Sequence, residues 1–373
     1  VSEPLALYVH WPFCVSKCPY CDFNSHVREE VDQDAWREAL LADLAHEAAL
    51  LPDRELTSIF FGGGTPSLMP PATVAAMIEA AGRHWRRSSN TEITLEANPS
   101  SVEAARFADL ASAGVNRVSL GLQAFDDTAL AFLGRAHGAA EGLKALHTAQ
   151  RHFSRTSFDL IYALPGQSET DWSHDLDRAI ALGTEHLSLY QLTIEPGTRF
   201  ATLAAQGKLK PLDPDAGAAL FEMTQDRSEA AGLIPYEISN HARAGAESRH
   251  NLTYWRYGDY AGIGPGAHGR RGGLATTRHK KPENWIAAVT GRGNGLQSED
   301  VLNPQDKAYE ALLMGLRLTE GVDMARNTLA SHIDWKAFET LEKVGLVTRD
   351  RDRIATTRQG RSVLDGILRE ILL

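Results

Sequence analysis

Residues 8–23 read Tyr8-Val9-His10-Trp11-Pro12-Phe13-Cys14-Val15-Ser16-Lys17-Cys18-Pro19-Tyr20-Cys21-Asp22-Phe23. The chain contains three cysteines, all in this stretch, spaced Cys-x3-Cys-x2-Cys. An odd, clustered set is a poor disulfide framework and fits a reducing compartment and a metal role better. Three thiolates this close can reach three corners of one iron–sulfur cubane without long-range closure. A [4Fe–4S] cluster ordinarily takes four cysteines, so Cys14, Cys18 and Cys21 would leave one iron without a protein ligand. The alternative is a zinc site or three structural cysteines, although a structural zinc site wants four closed ligands.

Working outward, the cysteines follow an apolar strand, Leu5–His10. Further strands are predicted at Ser58–Phe61, Glu92–Ala97, Arg117–Leu122, Ser157–Ala163 and His186–Leu192. Helical spacing is read in Asp34–Leu51, Pro71–Trp85, Ser101–Ala113, Ala139–His152 and Ser168–Leu182. A series of β-then-α units argues for a parallel sheet with helices outside. Right-handed crossovers curl such a sheet, and six units predict an α/β fold, a partial (βα)6 barrel rather than a closed one of eight. Chemistry then belongs at the C-terminal strand ends. The cysteine loop, Gly62-Gly63-Gly64, Glu96 with Asn98-Pro99, and Gln123 all fall there. Residues 1–235 are assigned to the barrel and 236–302 to a connector, whose Gly-, Tyr-, His- and Asn-rich part, about 236–275, reads as loop-dominated. Residues 303–373 read as a small domain in winged-helix-like order: helices Pro304–Leu316 and Asp334–Val344, a charged turn region Thr348–Ile354, and a last helix Gln359–Leu372.

An iron without a protein ligand is a docking point for a chelate, and the amino and carboxylate groups of S-adenosylmethionine fit it. Glycines let backbone approach a ligand closely, although Gly62–Gly64 alone could be a tight turn. Glu96 and Asp159 interrupt or end apolar strand runs, and buried charge is costly unless paired. A carboxylate can accept from ribose hydroxyls, and an arginine such as Arg135 can pair a carboxylate bidentately. Gln123 completes the polar set. Each of these four could instead serve a structural ion pair.

The 373 residues include 43% hydrophobic and 23% charged side chains, the ordinary globular mix. A formal net charge of −10 repels phosphate backbones, so no nucleic-acid partner is expected. No apolar run approaches the roughly 18 residues of a membrane helix. No signal peptide is seen ahead of the first strand, and a cytoplasmic location is expected; peripheral docking at a membrane stays open.

The cysteine loop resembles the signature of the radical S-adenosylmethionine superfamily, whose members pass an electron from a [4Fe–4S] cluster to the sulfonium and generate a 5′-deoxyadenosyl radical. The resemblance runs the length of the chain: Tyr8-Val9-His10-Trp11-Pro12-Phe13-Cys14, Phe61-Gly62-Gly63-Gly64-Thr65-Pro66-Ser67, Glu96-Ala97-Asn98-Pro99, Ser119-Leu120-Gly121-Leu122-Gln123, Asp159 to Gln167 and Tyr190 to Thr198. Together these are similar to the oxygen-independent coproporphyrinogen III oxidase group and, within it, to the HemW-type haem chaperones. The resemblance implies that Tyr8, Tyr20, Gly63, Gly64, Thr65, Glu96, Gln123, Arg135 and Asp159 line the S-adenosylmethionine pocket, with Tyr8 near the sulfonium and Tyr20 on the adenine side. Trp11 departs from a commoner Ile, and Ala163 stands where Gly is frequent.

Two features separate the branches. The oxidases resemble Cys-x3-Cys-x2-Cys-x-Cys, and here the last position is Phe23. The chaperone branch carries His-Asn-x-x-Tyr-Trp, intact here as His250-Asn251-Leu252-Thr253-Tyr254-Trp255. An imidazole can ligate haem iron and aromatics can cover the porphyrin, so His250, Asn251, Tyr254 and Trp255 are the haem-binding candidates. His250 could equally bond a backbone group in a loop, and the Tyr254–Tyr260 aromatics could be core packing. His10 sits beside the cysteine loop and could touch the cluster or bond locally, and His241 and His268 flank the motif as spare ligand candidates. The expected cofactors are the cluster, S-adenosylmethionine and haem, and the expected partners are acceptor apo-haemoproteins, membrane-bound respiratory enzymes among them; a homodimer is compatible. The alternative is an enzyme that oxidatively decarboxylates coproporphyrinogen III. A third reading, from the tail, is a winged-helix regulator sensing haem or iron–sulfur status.

Overall fold

The computed structural model describes residues 3–28, 30–325 and 329–372. Six parallel strands stand in chain order: β1 (Pro4–Trp11), β2 (Glu55–Gly63), β3 (Arg86–Ala97), β4 (Arg117–Gln123), β5 (Arg155–Tyr162) and β6 (His186–Gln191). Alternation of side chains along a strand divides them between two faces. Leu5, Leu7 and Val9 of β1, and Ile59 and Phe61 of β2, join the core packed under the helices. Tyr8, His10 and Phe60 take the opposite, inner face.

The helices start where capping chemistry allows. Asp32 accepts from Ala35 N ahead of α1 (Gln33–Leu50). Pro71 opens α2 (Pro71–His84), where its missing N–H costs nothing. After α3 (Ala139–His152), Ser168 and Asp171 form a reciprocal capping box at α4 (Glu169–Ala181). The single helix expected over Ser101–Ala113 is two, Ser101–Ala104 and Phe107–Ser112. Arg106 between them is drawn off to donate to Ser67 O (3.0 Å) and Met69 O (2.7 Å).

The connector is not loop-dominated, and this corrects the sequence reading. After α5 (Pro214–Ala230) the chain lays β7 (Asn240–Ala242) antiparallel against β6. It then forms a short helix, α6 (Arg249–Trp255), and lays β8 (Tyr260–Ile263) parallel to β1 on the other edge. The antiparallel strands β9 (His268–Arg271), β10 (Leu274–Arg278) and β11 (Leu296–Val301) continue outward, and with the two-residue strand Ile234–Pro235 beyond β7 they complete one twelve-stranded mixed sheet. The six expected strands are therefore extended on both edges. The anchor is ionic: Arg278, with no exposed side-chain surface, donates to Asp43 (2.9 Å) and Glu47 (2.9 Å) on α1, and Arg271 also reaches Glu47 (2.9 Å).

The C-terminal unit has its own core, including Leu312, Phe338, Ile354 and Ile367. It comprises α7 (Pro304–Gly315), the helix Trp335–Lys343, a three-stranded antiparallel sheet and the closing helices Arg358–Arg361 and Leu364–Ile371. The charged turn region predicted at Thr348–Ile354 is a hairpin of Val347–Asp350 and Arg353–Thr356. Among the described residues no helix is long and apolar enough to cross a membrane.

Candidate active site at the cysteine loop

The loop leaves β1 at Pro12, pairs Phe13–Cys14 with His26–Val27, and holds all three cysteines half-buried as free thiols. It is fastened on several sides. Gly64 N donates to Trp11 O (2.7 Å), Thr65 N to Phe13 O (2.9 Å) and Phe200 N to Pro19 O (3.0 Å). The Asn24 amide donates to Pro265 O and Lys280 O, both at 2.9 Å, so the connector helps to hold the loop. The glycine run must approach this closely: a Cβ on Gly64 would lie 2.8 Å from Phe13 O, and one on Gly63, at φ 113°, would lie 2.6 Å from the His10 ring.

A chain of side-chain hydrogen bonds links two of the thiols. Thr65 Oγ1 donates to Cys14 Sγ (3.4 Å) and accepts from Asn98 Nδ2 (3.1 Å). Arg135 donates to Asn98 Oδ1 (2.6 Å), to Gly121 O (3.0 Å) and to Cys18 Sγ (3.5 Å). Burial pushes the Cys14 and Cys21 thiols up, so loading a metal group here must release protons. Among the described residues no three His, Cys, Asp or Glu side chains converge on a single-ion site.

Inside the barrel, Tyr8 and His10 form a relay with a defined direction. His10 Nε2 lies 2.9 Å from Asn24 O, which can only accept, so Nε2 carries the proton and Nδ1 accepts from Tyr8 OH at 2.9 Å. Burial lowers His10 to about 4, so it is neutral near pH 7. Gly63 N donates to Glu96 Oε2 (3.2 Å). Burial, and then the neighbouring Asp159, push Glu96 up to about 8. Burial raises Asp159 to about 6 against the pull of Ser188, Ser119, Arg117 and Arg135. Tyr20 packs against Phe200, with ring centroids 6.4 Å apart.

The residues expected to line the S-adenosylmethionine pocket thus come together inside the barrel, and two of their polar atoms, Gln123 Oε1 and Arg135 Nε, are buried with no partner. An unpartnered acceptor and an unpartnered guanidinium donor suit a ligand that carries an amino group and a carboxylate. Gln123 (φ 69°) and Ala163 (φ 57°) both adopt the left-handed conformation at strand ends, which explains why glycine would suit position 163. Asn98 and Asn24 are structural partners to which the sequence reading gave no pocket role, while His10, expected beside the cysteine loop, bonds locally to Tyr8 and Asn24. The only signal for Asn98 was its place in Asn-Pro at a strand end.

The His250–Trp255 motif lies on α6 and not on a loop. His250 is 5% exposed. Its ring stacks on Phe60 (4.7 Å between centroids) and its Nδ1 is 3.3 Å from Ser58 Oγ. Its backbone N–H donates to Glu92 (3.3 Å), which also pairs with Arg155 (2.7 Å). Burial lowers His250 to about 4. Tyr254, one turn on, shares that inner side, with its ring 6.0 Å from His250. Trp255 instead sits under the Arg317 guanidinium (4.6 Å), towards the C-terminal unit, and Asn251 is half-buried. The ring centroids of His250 and Tyr8 are 6.0 Å apart, so the two regions adjoin within the barrel. His241 is fully buried, 3.2 Å from the Gln225 amide, and His268 is exposed on β9. Tyr257, half-buried, packs against Arg270 (3.7 Å) and bonds Glu310 (2.9 Å).

Comparison with known proteins places this geometry. Residues 8–179 match the model of the radical SAM superfamily, and residues 302–363 that of the HemN C-terminal domain. The heme chaperone HemW of Escherichia coli is 39% identical over 98% of this chain and 97% of its own length. The mitochondrial radical S-adenosyl methionine domain-containing protein 1 of Bos taurus is 39% identical over 100% of this chain and 88% of its own. The E. coli coproporphyrinogen III oxidase HemN, a radical SAM enzyme, superposes with a TM-score of 0.82 at 24% identity, over 99% of this chain and 90% of that one; this likeness defines the fold. The chain belongs to the radical SAM superfamily, in the HemW family whose barrel is joined to a HemN-type C-terminal domain. That family membership implies a [4Fe–4S] cluster and S-adenosylmethionine.

Proposed function

We propose that this chain is a haem chaperone, which binds haem and passes it to acceptor haemoproteins. The observation that carries the reading is the end-to-end similarity to the E. coli heme chaperone, in a chain with Phe23 where the oxidases resemble a further cysteine. Cys14, Cys18 and Cys21 would hold the cluster. Tyr8, Tyr20, Gly63, Gly64, Thr65, Glu96, Gln123, Arg135 and Asp159 would hold S-adenosylmethionine. When bound, the reduced cluster supplies an electron to the sulfonium. Arg135 orients the cofactor's carboxylate, Glu96 and Asp159 meet its polar groups, and the His10 relay fixes the Tyr8 hydroxyl.

His250, Asn251, Tyr254 and Trp255 are the haem determinants in this reading. His250 is packed between Phe60 and Tyr254 with Nδ1 at Ser58. In this reading the acceptors include membrane-bound respiratory enzymes met from the cytoplasmic side, and a haem- or cluster-linked homodimer is the assembly to test.

The test begins with anaerobic cluster reconstitution and an assay of coproporphyrinogen III with S-adenosylmethionine and a reductant. No product is expected, together with stoichiometric haem binding that His250→Ala weakens and a loss of haem transfer. Formation of protoporphyrinogen IX would make the chain an oxidase. Wild-type haem binding and transfer by His250→Ala would remove the role given to the motif.

A further inference from the structure

The inner faces of β4 and β5 carry a line of polar residues leading to Asp159, of which Arg117, Ser119 and Ser157 have no role in the assignments above. Period-2 alternation puts Arg117 and Ser119 of β4 on one face, opposite Ser157 and Asp159 of β5, and the register pairs Ser119 with Ser157. Arg117, 3% exposed, donates through Nη2 to Ser157 Oγ (3.3 Å). Ser157 Oγ donates to Ser119 Oγ (3.0 Å), a closer partner than Val118 O (3.5 Å). Ser119 Oγ donates to Asp159 Oδ1 (3.3 Å). Each hydroxyl has one proton to give, and every bond in the line points from the guanidinium to the carboxylate.

We propose that Arg117 is a positioning residue of the S-adenosylmethionine pocket: acting through Ser157 and Ser119, it holds Asp159 as the hydrogen-bond acceptor for the cofactor's ribose hydroxyls. The proposal rests on the reading of that pocket given above and deepens it. The need for such a device follows from the surroundings. Asp159 is buried beside Glu96 on β3 and near Tyr190 on β6, with Ser188 of β6 and Arg135 as its other polar neighbours. Burial and a second carboxyl both favour its protonated form, which would present a donor where an acceptor is wanted. Arg117 and Arg135 are the two cations that oppose this. Arg135 is already committed to Asn98, Gly121 and Cys18. Arg117 instead directs its Nη2 into the hydroxyl line that ends on Asp159. The same cation acts against protonation of His186 and His250 on the barrel floor.

The experiment measures the Kd of S-adenosylmethionine for the cluster-loaded protein by equilibrium dialysis from pH 5 to pH 8. Wild type, Arg117→Gln and Ser119→Ala are compared, with circular dichroism as the folding control. Wild type should weaken as pH falls through about 6. Arg117→Gln should move that midpoint up by about one pH unit, giving a several-fold weaker Kd near the midpoint and convergence with wild type at pH 8. Ser119→Ala, which cuts the last link, should move it the same way by less, and carries the test if the arginine variant does not fold. The cofactor's own titrations are common to all three proteins and cancel. Coincident midpoints, or a Kd raised by the same factor at every pH, would overturn the role of Arg117 while leaving the pocket intact. Failure of wild type to bind at any pH would remove the pocket reading and this proposal with it.

Discussion

Arg135 donates to Asn98 Oδ1 at 2.6 Å, and this contact at the third strand end completes a hydrogen-bonded path between two of the three thiols of the cysteine loop. Asn98 hands the constraint to Thr65 and so to Cys14, while the same guanidinium touches Cys18. Asn98→Ala should therefore loosen two of the thiols proposed to hold the cluster without removing either. Hydrogen bonds to charged groups contribute about 1.5–3 kcal/mol, so a loss of about tenfold or more in S-adenosylmethionine affinity is expected. Faster bleaching of the cluster absorbance under a chelator should accompany it. Wild-type values on both measurements would show the link to be ornamental.

Glu96 makes stability depend on pH in an unusual sense for a carboxylate. Its folded value, raised to about 8, lies above its ordinary 4.5. The folded state therefore binds more protons across that interval, and the stability that the neutral carboxyl confers is full below about 4.5 and is lost as pH rises through about 8. Asp159 acts in the same direction over a lower range, from 3.8 to about 6. Thermal unfolding of the protein without S-adenosylmethionine should show Glu96→Gln gaining on wild type between pH 5 and pH 8, by ~1 kcal/mol or more. A difference that stays constant with pH would contradict the burial-driven shift.

Ala163 adopts φ 57°, a conformation that costs a residue with a Cβ roughly 1–2 kcal/mol. Part of that gain is offset because glycine also loosens the unfolded chain. Ala163→Gly should still stabilise the protein, by ~0.5–1 kcal/mol in denaturant midpoint analysis. A loss of stability would mean that the alanine methyl contributes more to packing than the strain removes.

Asp43 accepts from Arg278 (2.9 Å), Gly264 N (3.1 Å), Gly295 N (3.0 Å) and Trp285 Nε1 (3.2 Å). Asp43→Ala leaves a fully buried guanidinium with less counter-charge, a loss of about 3–5 kcal/mol. Because β8 lies against β1 and Asn24 bonds Pro265 and Lys280, the damage should extend to the cysteine loop. We expect a lower unfolding midpoint and reduced iron retention, checked by calorimetry and iron analysis. A replacement of the Asp43–Arg278 pair by matched apolar residues should recover much of the stability.

What was readable before the structure was local. Cys14, Cys18 and Cys21 lie within one turn-rich loop, and Gly62–Gly64 follows a strand whose alternation is plain. Ala139–His152 has the predicted bounds. What was missed involves distant partners or weak patterns. Strands β7 to β10 are three to five residues long and carry Gly, His and Arg, so their pairing comes from β1, β6 and the ion network on α1. The α5 helix, with small and polar residues around its circumference, has a weak apolar face, and periodicity did not reveal it.

The sequence by itself determined the spacing of the three cysteines, the order of the six β/α units and the strand end at which the cysteine loop and the glycine run meet, because spacing over a few residues and the period of a strand are properties of the local chain. Only the tertiary structure decided how the thiols are joined, through partners 51, 33, 37 and 117 residues apart. It alone decided that His250 faces Phe60 and Ser58 inside the barrel while Trp255 turns to Arg317. Those contacts cost chain entropy that only a complete fold repays, so no short stretch of sequence encodes them.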